Sequence, residues 1–138
     1  MTTVACLLAL SSALDAAHRE IEMRRTFWAV AFVESRGDPR AVNRRENAVG
    51  IVQIRPILVR DCNRIMGREK YTLADRLGVE QSWQMFRLYS RYYAPRGTPE
   101  IWARNWNGGP TGWKKPATVG YWQKVKAQME RQRPCHAK

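Results

Sequence analysis

Thr26-Phe-Trp-Ala-Val-Ala-Phe-Val33 is an uncharged run that breaks off at Glu34-Ser-Arg-Gly-Asp-Pro39. No other feature of the chain restricts its fold as much. A helix built from such a run is apolar on every side and is expected to be buried all round, so the remaining elements must wrap it. Glycine and proline then end the periodic pattern, which leaves a glutamate in the last helical turn. Phe27, Val30 and Ala31 lie seven, four and three positions before Glu34, so the carboxyl shares their apolar face. A helix C-terminus disfavours negative charge, and burial does the same. Both effects raise a carboxyl towards the range where it can act as a general acid near neutral pH, which is what glycoside cleavage requires. The plain alternative is that Glu34 is the first exposed residue after a buried helix.

The other elements read as helices. Val4, Leu7, Leu8, Leu14, Ala17 and Ile21 fall largely on one face, as in an amphipathic first helix preceding the apolar one. A polar loop runs to Asn47, and Ala48 to Ile54 is a short apolar piece. Pro56 suits the first turn of a helix that reaches about Met66 and stops at Gly67. Val79 to Tyr93 is amphipathic, and Thr98-Pro99 caps and opens a helix to about Trp106. Asn107 to Trp113 is a glycine-rich loop, and Gly120 to Met129 supports a last helix. No strand alternation, internal repeat or low-complexity segment stands out. The expected fold is all-α, a single domain over residues 1–138 of about six to seven helices. Its core spans about residues 22–130, with a basic tail at 131–138.

Twenty-four Lys and Arg against 12 Asp and Glu give a net charge of +12, a field that favours an anionic partner. Cys6, Cys62 and Cys135 are the only cysteines, none in C-x-x-C spacing, and His18 and His136 are the only histidines. A metal cluster and a Cys–His nucleophile pair are therefore not expected, nor is any cofactor. One disulfide is open to the chain without the sequence choosing it. Val4 to Leu14 could pass for a signal h-region, but no Lys or Arg precedes it and no clean A-x-A site closes it, so a helix is the favoured reading. No run approaches the roughly 18 apolar residues of a membrane span.

Four segments then carry a resemblance. Glu34-Ser-Arg-Gly-Asp-Pro-Arg-Ala-Val-Asn43 resembles the Glu-Ser-x-Gly-x-x-x-Ala segment of soluble lytic transglycosylases and goose-type lysozymes. Gly50-Ile-Val-Gln-Ile54 is similar to their Gly-Leu-Met-Gln-Ile, and Trp106-Asn-Gly-Gly-Pro110 to their Ala-Tyr-Asn-Ala-Gly-Pro. Tyr121 falls where the family has a tyrosine in its final helix. The four occur in the family's order.

This resemblance implies a lysozyme-like fold with a substrate cleft, cleaving the β-1,4 bond between N-acetylmuramic acid and N-acetylglucosamine at the bacterial cell wall. The partners it implies are peptidoglycan glycan strands met by a monomer. Glu34 would be the acid and, in a transglycosylase, also the base that closes a 1,6-anhydro ring. Ser35 and Gln53 would bind substrate or orient Glu34, Asn107 would contact sugar or backbone, and Tyr121 would give its hydroxyl to Glu34. Where goose-type lysozymes place an aspartate, this chain has Arg55. Of the nearby acids Asp38, Glu46 and Asp61, Glu46 is the candidate second carboxylate, and hydrolysis through it stays open. Val52 stands for the usual methionine. Trp106 stands for the usual tyrosine and offers a platform for a sugar ring, with Trp102, Trp113 and Trp122 as further stacking candidates. Two rival readings remain: a lysozyme-like domain that only docks on the wall, and a basic nucleic-acid-binding module. No nucleic-acid motif supports the second, so nucleic acid is not an expected partner.

Overall fold

A computed structural model describes residues 2–132. Cys135, His136 and most of the basic tail lie outside that range. The described residues form α1 (Thr2–Ser35), a hairpin of β1 (Val42–Asn43) and β2 (Ala48–Val49), α2 (Pro56–Met66), α3 (Val79–Tyr93), α4 (Pro99–Gly108) and α5 (Val119–Arg131). Short 3-10 turns at Leu73–Leu77, Gly112–Lys114 and Pro116–Thr118 join them. The molecule is all-α apart from the hairpin. Two-residue strands are too short to produce a readable alternation, which is why the loop before Asn47 conceals them.

Local chemistry sets several boundaries. Pro56 opens α2 and Gly67, at φ 70°, closes it in a left-handed turn that returns its N–H to the carbonyls of Arg64 and Asn63. Thr98 accepts a hydrogen bond from the Ile101 N–H to cap α4, with Pro99 in the first turn.

The N-terminal half departs from the sequence reading. The first two expected helices are one, because Glu22-Met-Arg-Arg-Thr26 contains no helix breaker. This 34-residue helix is about 51 Å long, whereas α3, the longest element packed on it, has 15 residues and reaches about 22 Å. α1 therefore overhangs the bundle, and Val4, Leu7, Leu8, Leu14 and Ile21 are exposed instead of facing a core. The apolar run is not buried all round either: Trp28 and Phe32 are 40% and 43% exposed. One turn apart, they share the side of α1 that α3, α4 and α5 leave open.

The opposite side forms the core. Phe27, Val30 and Ala31 are fully buried among Trp83, Phe86, Trp102, Val125, Ile51 and Val52. Phe27 meets Trp83 and Phe86 edge-on, at centroid distances of 5.4 and 5.6 Å, a preferred aromatic geometry. Trp102, at 1% exposure, is core and is no surface for a sugar. Cys62 is buried in α2, and burial pushes its thiol up to about 12, so it is not a nucleophile.

Candidate active site

α1 ends at Ser35, with Arg36 and Gly37 both at positive φ (58° and 81°). The Gly37 N–H reaches back to Ala31 O at 3.2 Å, and the Arg36 N–H to Phe32 O at 2.9 Å. These bonds satisfy the last carbonyls of the helix and fix the direction of its final turn. Glu34 lies in that turn. Its side chain receives a 2.7 Å hydrogen bond from the Tyr121 hydroxyl to Oε1, across 87 residues of sequence.

Burial raises the Glu34 carboxyl above its ordinary range and is the largest influence on it. The Tyr121 hydrogen bond and the Arg55 charge pull the other way, and the Glu46 charge adds to the rise. Burial and the Glu34 carboxylate together push the Tyr121 hydroxyl well above its ordinary value, so it stays protonated and remains a donor. The pair is a desolvated carboxyl held by a permanent neutral donor, a group that can give a proton and take it back.

The segment Gly50–Gln53 is joined to the end of α1, beside Glu34, and to α4. The Ser35 hydroxyl lies 2.8 Å from Ile51 O and 3.1 Å from Ala31 O, which ties the end of α1 to the segment. The Trp106 indole N–H donates to Val52 O at 3.0 Å, which ties α4 to it. Gln53 has φ 53°, and its amide donates to Ala41 O and Gly50 O at 3.2 and 3.0 Å. Its two donors are thus spent on the base of the hairpin, leaving the side-chain carbonyl as the group it can offer a substrate.

Trp106 is half-buried against Phe86 and Tyr89, with centroid distances of 5.0 and 5.8 Å. Asn107 is exposed near the end of α4. The neighbouring Asn105 is the buried amide, and its Oδ1 accepts from the Trp113 N–H at 3.0 Å. Trp113 itself is exposed.

Glu46 sits in the hairpin turn, exposed and paired with Arg55 at 2.6 Å. The other two acids are engaged elsewhere. Asp38 accepts from the Arg40 N–H, and Asp61 is held by Arg64 and by the Tyr93 hydroxyl at 2.7 Å.

Arg76 is a structural support that sequence reasoning missed. It is buried, and its guanidinium bonds the carbonyls of Leu73, Asn47 and Ile54 at 2.9, 2.9 and 3.3 Å. It clamps the hairpin to the rest of the domain with main-chain acceptors in place of a carboxylate. The one signal for it was the capping box Thr72-x-x-Asp75, which opens the 3-10 turn that carries it. Among the described residues, no group of three or more His, Cys, Asp or Glu could hold a metal ion.

Comparisons with known proteins agree with this architecture. Over 31 residues the chain is 61% identical to invertebrate-type lysozyme 6 of Caenorhabditis elegans. That stretch is 22% of this chain and 22% of the relative, so the chain spans about a fifth of the length of the curated relative it matches. A chain in the crystal structure of Aeromonas hydrophila PliI in complex with Meretrix lusoria lysozyme shares the fold, with a TM-score of 0.64 at 24% identity. The alignment covers 81% of this chain and 91% of that one. The transglycosylase SLT domain model matches residues 12–87, a span that includes Glu34, Ser35 and Gly50–Gln53 and ends before Trp106, Asn107 and Tyr121. Because that match extends over more than half of its length, the chain belongs to the transglycosylase SLT domain family, within the lysozyme-like superfamily.

Proposed function

We propose that the protein cleaves peptidoglycan glycan strands at the β-1,4 bond between N-acetylmuramic acid and N-acetylglucosamine, without hydrolysis. The observation that carries this reading is the desolvated Glu34 carboxyl under the 2.7 Å Tyr121 hydrogen bond. Glu34 protonates the glycosidic oxygen as the C1–O bond breaks and an oxocarbenium-like centre develops. The resulting carboxylate then accepts the proton of the muramyl C6 hydroxyl, whose oxygen bonds to C1 and closes the 1,6-anhydro ring. The proton lost in the first step is regained in the second, and no water is consumed. Gln53 and Asn107 offer polar groups to the strand, Trp106 an aromatic edge, and Ser35 holds the end of α1 in register. On this reading the protein acts at the bacterial cell wall, where its substrate is.

Hydrolysis is the second reading, and one observation favours it. Glu46 is exposed and close enough for its charge to act on Glu34. Released from Arg55, it could activate a water, as an inverting glycosidase requires. The Arg55 ion pair weighs against this. Mass spectrometry of muropeptides released from purified peptidoglycan decides between the two. Products one water lighter than the hydrolysed ones support ring closure. Reducing-end products that disappear in a Glu46→Gln variant support hydrolysis. Release of neither kind on several wall types would overturn the enzymatic reading.

Tyr121 provides a separate check on Glu34. Its hydrogen bond lowers the carboxyl's proton affinity, so a Tyr121→Phe variant raises that affinity further. The alkaline limb of the pH–kcat/KM profile is then expected to move to higher pH. The rate at the optimum falls by about tenfold, the scale of one lost charge-assisted hydrogen bond. An unmoved alkaline limb would show that Tyr121 does not tune the catalytic group.

A further inference from the structure

We infer that Tyr92, with Arg64 and Asp61 beside it, forms a distal sugar-binding subsite that grips the glycan strand away from the bond that is cleaved. The inference rests on the glycan-cleaving reading above and extends it to how much of the strand the protein holds.

Two separate traces run from the Glu34 site to this cluster. The first is a row of aromatic rings. Trp106, tied to Val52 O by its indole N–H, meets Tyr89 at a centroid distance of 5.8 Å. Tyr89 meets Tyr93 at 4.8 Å, and Tyr93 meets Tyr92 at 4.9 Å. The second trace is α2. Arg55, whose charge acts on Glu34, precedes its first turn. Leu58 and Asp61 follow at steps of three, on adjoining turns. Asp61 and Arg64 stand about 9 and 14 Å along the helix axis from Arg55. That is too far for the sugar ring that reacts, and it suits one further along the same strand.

The cluster is held rigidly. Asp61 accepts from the Tyr93 hydroxyl at 2.7 Å and from Arg64 Nε at 2.8 Å. Arg64 Nη2 donates to the Tyr93 hydroxyl at 2.9 Å. These bonds join α2 to α3 and need nothing from Tyr92, which is 53% exposed. The guanidinium that they fix lies over one face of the Tyr92 ring, 5.4 Å from its centroid, and the remaining surface of the ring is open to solvent. A sugar has C–H groups on its faces and hydroxyl or acetamido groups around its edge. An aromatic face with a donor and an acceptor fixed at its side matches that pattern. Arg64 and Asp61 are ordered in advance by their own bonds, so little freedom is lost when a sugar docks.

The test is the length dependence of cleavage, measured on glycan strands stripped of their peptide stems and separated by length. The parent's kcat/KM is expected to be about tenfold higher on long strands than on strands that end before Tyr92, the scale of one aromatic contact. In Tyr92→Ala and Arg64→Ala the long-to-short ratio should fall to about one. Thermal unfolding is measured alongside, because Arg64 also joins α2 to α3, whereas Tyr92 does not. A parent without a length preference overturns the inference, and so does an equal loss on both lengths in Tyr92→Ala. A preference confined to strands that carry peptide stems would place the stem at Tyr92 and also overturn it. If the parent cleaves no strand, the cleavage reading fails by itself and binding judges the subsite. Long stripped strands should then still bind the parent about tenfold more tightly than Tyr92→Ala, and equal affinities overturn the inference.

Discussion

Replacing Glu34 with glutamine is expected to lower glycan-strand cleavage by about 10²–10⁴-fold, the usual contribution of a positioned general acid, while leaving the protein at least as stable at neutral pH. The two outcomes share one cause. Burial raises the folded-state affinity of the carboxyl for its proton, so between the ordinary carboxyl range and the raised value the native state binds more protons than the unfolded chain. Stability therefore falls as pH rises through that window, and the full penalty is present above it. Glutamine carries no such penalty, and its carbonyl can still accept the Tyr121 hydrogen bond. The melting temperatures of parent and variant should coincide in acid, below the ordinary carboxyl range, and separate in the variant's favour as pH rises. Muropeptide release measures the first outcome and thermal unfolding across pH the second. Full activity in the variant would remove Glu34 from the chemistry, and no cleavage by parent or variant would leave the chain as a wall-docking domain. A variant less stable at neutral pH would show that the Glu34 charge holds the site together, contrary to its desolvation.

How legible this site is from sequence depends on how local its physics is. Pro56 with Gly67 and Thr98 with Pro99 bracket α2 and α4 because caps and turns are decided within a few residues. Glu34 is visible for the same reason, since its helix face and its place at a helix end are both functions of spacing. The Tyr121 hydroxyl meets it across 87 residues, a distance over which periodicity says nothing; only the resemblance put that tyrosine forward. Arg76 was beyond reach in another sense. A buried arginine satisfied by three main-chain carbonyls has no complementary acid in the sequence to reveal it. Trp28 and Phe32 illustrate the opposite difficulty. An apolar run indicates what can be buried, but how many elements pack around it decides what is. Here α3, α4 and α5 leave one side of α1 open.

Gly50→Ala is expected to destabilise the protein by about 3–5 kcal/mol, through backbone strain and overpacking together. Gly50 has φ +89°, which L side chains rarely adopt, and a Cβ there would stand 1.8 Å from Arg76 O and 2.9 Å from Arg76 C. Neither side can give way easily. The Gly50 N–H is bonded to Ala41 O at 2.8 Å, and Arg76 is fixed by its guanidinium clamp on the hairpin. Gly67→Ala separates the two contributions. Gly67 also has positive φ (70°), but nothing lies within 4 Å of its would-be Cβ, so that change carries strain alone, about 1 kcal/mol. For a chain of this length the unfolding temperature should fall by about 10–15 °C in Gly50→Ala and only a few degrees in Gly67→Ala. Activity measured well below both transitions should separate them as well. Displacing Gly50 moves Ile51 O away from Ser35, Val52 O away from Trp106, and Gln53 with them, so kcat/KM is expected to drop by about 10²-fold while Gly67→Ala keeps the parent value. Equal losses in the two variants would mean that the close approach of Gly50 to Arg76 contributes nothing, and that the loop beside Glu34 is positioned by the hairpin alone.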